Sequence, residues 1–131
     1  QKGKRVYNAR SGTLLEKPLF GKDFVQNRCV IPVTGFCEWD GDGTGWDFLP
    51  QEEEMLYLAG VCRKKAEGWE ATVVTEHAAG CVGEIHHRTP LILSGENLRQ
   101  WLYDEGQARQ FLEEAKERVL LKRKKMEGET L

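Results

Sequence analysis

Four short apolar segments, each bounded by turn-forming or polar residues, set the architecture open to this chain. They are Arg28-Cys29-Val30-Ile31-Pro32-Val33, Met55-Leu56-Tyr57-Leu58-Ala59-Gly60-Val61, Ala71-Thr72-Val73-Val74-Thr75 and Leu91-Ile92-Leu93, the last entered through Pro90. At these lengths, and rich in β-branched and aromatic residues, they read as strands rather than buried helices. Helical spacing comes later. Leu98, Trp101 and Leu102 recur at i, i+3 and i+4 behind a Ser94 cap, and Asp104-Glu105-Gly106 breaks that helix. Ala108, Phe111, Leu112 and Ala115 form the buried stripe of a second. Strands first and helices afterwards, with no βαβ alternation, predict an α+β domain with a mainly antiparallel sheet.

Composition narrows the function classes. The 131 residues suit one domain, and 40% hydrophobic content suffices for one continuous core. A membrane helix needs roughly twenty apolar residues in a row, and no such run exists, so no membrane role is expected. Lys+Arg 19 against Asp+Glu 21 leaves a net charge of −2, which excludes a generally basic nucleic-acid coat but permits a local basic groove. No secretory signal is visible, so the expected compartment is the cytoplasm, with nucleoid association if the source is bacterial. Cys29, Cys37, Cys62 and Cys81 form no C-x-x-C pair and read as buried free thiols, and no metal or cofactor is expected. The loop Asp40-Gly41-Asp42-Gly43-Thr44-Gly45 hints at calcium, but Gln51 stands where an EF-hand needs its Glu, and calcium is rejected. Lys122-Arg123-Lys124-Lys125 reads as a solvated basic end.

Three segments are chemically loaded. In Tyr7-Asn8-Ala9-Arg10-Ser11 an amide and a guanidinium share one side of an extended chain, a combination able to orient a partner group and grip a phosphate; a polar strand edge would look the same. In Gly35-Phe36-Cys37-Glu38-Trp39 one carboxylate sits among Phe, Cys and Trp. Burial there would raise its pKa and prepare it for proton transfer, while pairing with Arg10 or Arg88 would give it a structural role, and both readings stand. In Glu84-Ile85-His86-His87-Arg88-Thr89-Pro90 an extended backbone would put His86 and Arg88 on one side and His87 on the other. A His beside an Arg suits an anionic substrate better than a metal.

The order and spacing of these three segments resemble the SOS-response-associated peptidase (SRAP) family. Glu16-Lys17-Pro18 with Phe20, Arg28-Cys29-Val30-Ile31-Pro32 and Val74-Thr75-Glu76 agree with the same pattern. The resemblance covers nearly the whole chain and matches the middle and C-terminal portion of the family's domain. It implies a mainly antiparallel sheet or partly open barrel with short peripheral helices. It also implies a DNA-damage response protein, expected to be monomeric, that binds abasic sites in single-stranded DNA. In the family, the α-amine of an N-terminal Cys forms a Schiff base with the sugar aldehyde, and its thiol closes a thiazolidine ring. On matching positions Asn8 would orient that Cys, Glu38 would be the general acid/base, and His86 would assist sugar ring opening. Arg10 and Arg88 would hold flanking phosphates, Trp39 would support unstacked DNA, and Thr75 falls on a further site position.

Departures accompany the resemblance. Family chains commonly carry Glu where Gly12 stands, Tyr where Cys37 stands, and Asp and Met where His87 and Thr89 stand. The sequence as given opens at Gln1, so residues 1–131 are expected to form a single SRAP-like domain lacking the family's N-terminal segment and unable by itself to form the thiazolidine. Two other classes compete: a non-catalytic single-stranded DNA-binding module, and a cysteine peptidase with His86 as base for Cys37 or Cys81.

Overall fold

The computed structural model describes residues 7–113 and 120–125. The chain runs β1 (Tyr7–Arg10), a single 3-10 turn (Leu14–Glu16), α1 (Pro18–Gln26), β2 (Arg28–Val33), β3 (Phe36–Trp39) and β4 (Gly45–Leu49). It continues through β5 (Leu56–Lys65), β6 (Gly68–His77), α2 (Gly80–Gly83), β7 (Arg88–Pro90) and β8 (Ile92–Leu93) to α3 (Gly95–Tyr103), α4 (Glu105–Glu113) and β9 (Leu121–Lys124).

The larger sheet has the order β1-β6-β5-β2, antiparallel except where β1 runs parallel to β6. β5 and β6 pair closely from Gly60–Val73 to Lys65–Gly68 and then splay. The segment Arg88–Leu93 fills the opening: β7 pairs with β6, β8 pairs with β5, and Leu91 between them takes its N–H to Val74 and gives its carbonyl to Ala59. Side chains alternate across this sheet with the strand period of two. On one face Ala9, Ala59, Val61 and Val74 pack against Phe24 of α1, Trp101 of α3 and Phe111 of α4. On the other, Leu56, Leu58, Val73 and Ile92 meet Ile31 and Phe36, which carries the core toward the small antiparallel sheet β3-β4-β9. The fold is α+β, and neither sheet closes into a barrel among the described residues.

Several sequence expectations change in detail. The break between the last two helices is a single residue: Asp104 ends α3 and its Oδ1 accepts the Gln107 N–H at 3.0 Å, capping α4, which already starts at Glu105. Ser94 precedes α3 as expected but caps it without a side-chain hydrogen bond. Ala115 lies outside the described residues. The basic run is solvent-exposed, as expected, but it is also a strand: Lys122, Arg123 and Lys124 belong to β9, paired with β4, and Lys125 donates its N–H to Gly45. The reason is a fully buried acid on β4, Asp47, whose carboxylate takes Arg123 at 3.1 Å and Lys125 at 3.7 Å. The cysteines are free but half-buried rather than buried. In the Asp40 loop the carboxylate is taken up by the N–H groups of Asp42 and Thr44 and the Trp46 indole, at 2.9–3.0 Å. Among the described residues no helix is long and apolar enough to cross a membrane.

Candidate active site

The splay of β5 and β6 creates the site. Where the two strands part, a cavity of about 590 Å³ opens between the large sheet and β3, and Asn8, Arg10, Glu38, Thr75, His86 and Arg88 line it. Asn8 and Arg10 reach it from β1 while Ala9 between them is buried in the helix-side core, as an extended backbone requires. Glu38 comes from β3, where Phe36, two residues earlier on the same face, stacks on Phe48 at 5.2 Å and anchors the strand.

Glu38 finds neither arginine. Its partner is His86, with Oε1 3.8 Å from Nε2. Burial pushes the Glu38 carboxyl above its usual range, and the nearby His86 opposes that only in part. The other ring nitrogen of His86 faces the Arg88 backbone, 3.1 Å from its N and 3.2 Å from its O. One main-chain residue thus offers both a donor to a neutral Nδ1 and an acceptor for a protonated one, so the ring keeps a partner in either state.

This arrangement needs a bent chain. The tripeptide before β7 is not extended, because α2 ends at Gly83 and the amides of Ile85 and His86 both bond back to Val82. The two histidines therefore do not face opposite sides; their rings stack at 4.6 Å, and His87 lines the same cavity. Arg88 is fastened by Thr75, which accepts its Nη2 at the carbonyl (2.6 Å) and at Oγ1 (3.1 Å). Burial and the like charge of Arg10 lower the Arg88 pKa, and its Nε is buried without a hydrogen-bond partner. Two guanidiniums lining one cavity, close enough for their like charges to interact, form a place for an anion.

Trp39 stands apart from this cavity. Side chains alternate along β3, so Trp39 leaves from the face opposite Glu38; its indole lies against Gly45 and is 53% exposed. Cys37 shares that face, donating its thiol to Asp47 at 2.9 Å, with Lys125 3.5 Å away. Burial and that carboxylate raise its pKa, the opposite of what a thiolate nucleophile requires. Cys81 points at the Leu120 carbonyl. Burial and the neighbouring Cys62 thiol push Cys29 up to about 12. Asp47 and its β9 partners are what the sequence reading missed: a single Asp between aromatic residues and a distant basic run give no sign that they meet.

Comparisons with known proteins point one way. The sequence profile of the SOS response associated peptidase (SRAP) family matches residues 1–127. The abasic site processing protein YoqW of Bacillus subtilis is 33% identical over 109 residues, spanning 76% of this chain and 49% of that protein. The abasic site processing protein HMCES of Gallus gallus is 33% identical over 127 residues, 75% of this chain and 38% of that protein. The chain thus spans about half the length of the bacterial relative and less of the avian one. A crystal structure of a Bacteroides thetaiotaomicron protein superposes with a TM-score of 0.69 at 27% identity, covering 80% of this chain and 52% of the other. One from Bordetella bronchiseptica gives a TM-score of 0.75 at 23% identity, covering 91% and 64%, and bears on the fold alone. With a profile match over nearly its whole length, and the strand order and cavity described above, the chain belongs to the SRAP family.

Proposed function

We propose that this chain supplies the lesion pocket of a DNA-damage response protein that binds abasic sites in single-stranded DNA. The observation that carries the reading is the Glu38–His86 pair at 3.8 Å on the wall of a cavity that Arg10 and Arg88 also line. The two arginines take the phosphates flanking the lesion, with Thr75 holding Arg88 in place. With no base to pull from the stack, an abasic deoxyribose enters the cavity at lower cost than an intact nucleotide. His86, proton-bearing at Nε2, assists opening of the sugar to its aldehyde. Glu38, kept protonated by burial to a higher pH than an ordinary glutamate, delivers the proton that lets water leave a carbinolamine as the Schiff base forms. Asn8 orients the attacking amine, and Trp39, exposed on the opposite face of β3, is available to DNA only outside the pocket.

The covalent step belongs to the whole protein. A thiazolidine needs an α-amine and a thiol on one residue, and Cys29, Cys37, Cys62 and Cys81 are all internal. A polypeptide of these 131 residues is therefore expected to prefer abasic over intact single strands without forming a stable adduct, which is how a purely binding module would behave. The test is anisotropy with oligonucleotides carrying one abasic site or none, followed by denaturing gels. Equal affinity for both strands overturns the pocket. In a whole protein starting with Cys, Glu38→Gln should slow adduct formation by about 100-fold or more while leaving noncovalent affinity within a few-fold; an unchanged rate removes Glu38 from the chemistry.

A further inference from the structure

A second cavity, also about 590 Å³, lies beside the first and shares Arg10 and Arg88 with it. It sits where β1 and β6 end, between the turn Ser11–Thr13 and α4, and Arg109 of α4 stands on its wall. Its size falls within the roughly 300–1,000 Å³ of small-molecule sites. Two features suit it to a nucleotide. Leu15 and Leu112 give it apolar surface for a ring, while Glu76, His77 and Glu113 place hydrogen-bonding groups around that surface. Arg109 is also prepared for an anion: Glu105 takes its Nε and Nη2 at 3.0–3.1 Å, its guanidinium lies 5.5 Å from the Phe24 ring centre, and the Nη1 donors are not among those bonds.

We propose that this cavity is the seat of the nucleotide next to the lesion. Its base lies between Leu15 and Leu112, and its outer phosphate is held by Arg109. The inference rests on the abasic-site reading and deepens it: Arg10 and Arg88 become the ridge over which one strand passes from the lesion pocket to its neighbour. Arg109 is then a third phosphate contact, and the only one on a helix.

Gly12 makes the cavity testable without touching the core. A Cβ built there meets nothing within 4 Å, and its backbone is not in the left-handed region, so a large side chain is accommodated on the cavity wall. The experiment measures affinity of the chain for two oligonucleotides bearing a tetrahydrofuran abasic analogue, one ending at the phosphates flanking it and one extended by two nucleotides on either side. The extension should tighten binding by about tenfold, the yield of one base set against aliphatic side chains and one phosphate contact. Gly12→Phe and Arg109→Gln should each erase most of that gain while leaving the short oligonucleotide within twofold. Arg109→Gln should also flatten the salt dependence for the extended strand by about 0.7 in log–log slope.

No gain on extension, or a gain that both variants retain, overturns the inference. Saturable binding of free deoxyadenosine monophosphate, abolished by Gly12→Phe while extension gives nothing, reassigns the cavity to a free nucleotide and equally overturns it. Equal binding of lesion and intact short strands counts against the abasic-site reading instead, so the two failures are distinct. Circular dichroism of both variants checks folding, and Gly12→Phe, which removes no contact, keeps the test valid if Arg109→Gln unfolds.

Discussion

At Glu38 the protein holds a carboxyl that favours its proton more in the folded chain than in the unfolded one. Burial is the cause, and His86 at 3.8 Å does not cancel it. The sign of the linkage follows: with the folded pKa raised, stability is greatest at low pH and is lost as pH rises from the unfolded glutamate value through the folded one. Glu38→Gln should therefore leave stability at pH 7 unchanged or raise it by up to about 1 kcal/mol, and the advantage should vanish below about pH 4. Thermal melts of both proteins across that range check it; a variant that melts lower at pH 7 would mean the carboxylate is structurally paired. Sequence left those two readings of Glu38 level, because both predict an acid among apolar neighbours. What separates them is which side chain comes close, and His86 does so because a backbone bend at Gly83–His86, not residue type, aims it.

Among the elements, β9 shows how a weak local signal becomes structure. Four consecutive basic residues have no strand propensity of note, yet β9 pairs with β4 because Asp47 is buried beneath it. Burial works against the Asp47 charge, but the Cys37 thiol, Arg123 and Lys125 outweigh it and hold its pKa below the usual carboxylate range. With the folded pKa depressed, its stabilisation is present above the ordinary aspartate value and lost as pH falls through the lower, folded one. Asp47→Asn should cost about 2 kcal/mol by urea denaturation, discounted because Arg123 is half exposed, and should speed hydrogen exchange in β9 before elsewhere. Uniform exchange would mean that β9 is held by its main chain alone. The exposed Glu105–Arg109 pair on α4 gives the contrast: Glu105→Gln should cost no more than about 0.5 kcal/mol. In the large sheet, Gly60 sits on β5 opposite Cys29 of β2 and Val73 of β6. An added Cβ would come 2.8 Å from Ile31 Cδ1, 3.1 Å from Cys29 Sγ and 3.0 Å from the Thr72 carbonyl oxygen. The side chains can yield and the carbonyl cannot, so Gly60→Ala should destabilise by about 1–3 kcal/mol, read as a lowered urea midpoint with unchanged slope.

Across the whole molecule, Trp101 ties the helices to the sheet. It is fully buried and meets Phe24 edge-on at 5.7 Å, and its indole N–H donates to the carbonyls of Cys29 (2.9 Å) and Gly60 (3.3 Å) on β2 and β5. Trp101→Ala should cost about 3–5 kcal/mol and unfold sheet and helices in one transition; two separated transitions by fluorescence and circular dichroism would show that the layers fold independently. Sequence by itself determined the four apolar strands, the amphipathic α3 and α4, the α+β class and the three polar segments, since each is a local pattern of period or residue type that survives any long-range arrangement. It did not disclose β1, β3, β4, β9 or α1, which are short or polar and draw their stability from neighbours distant in sequence. Tertiary structure alone decided that β5 and β6 splay and admit Arg88–Leu93, that Glu38 meets His86 and not an arginine, and that Asp47 captures the basic run. These are pairings between residues dozens of positions apart, and which pair forms depends on strand register and on the cost of leaving a buried charge unmatched, neither of which is written in any local stretch of the chain.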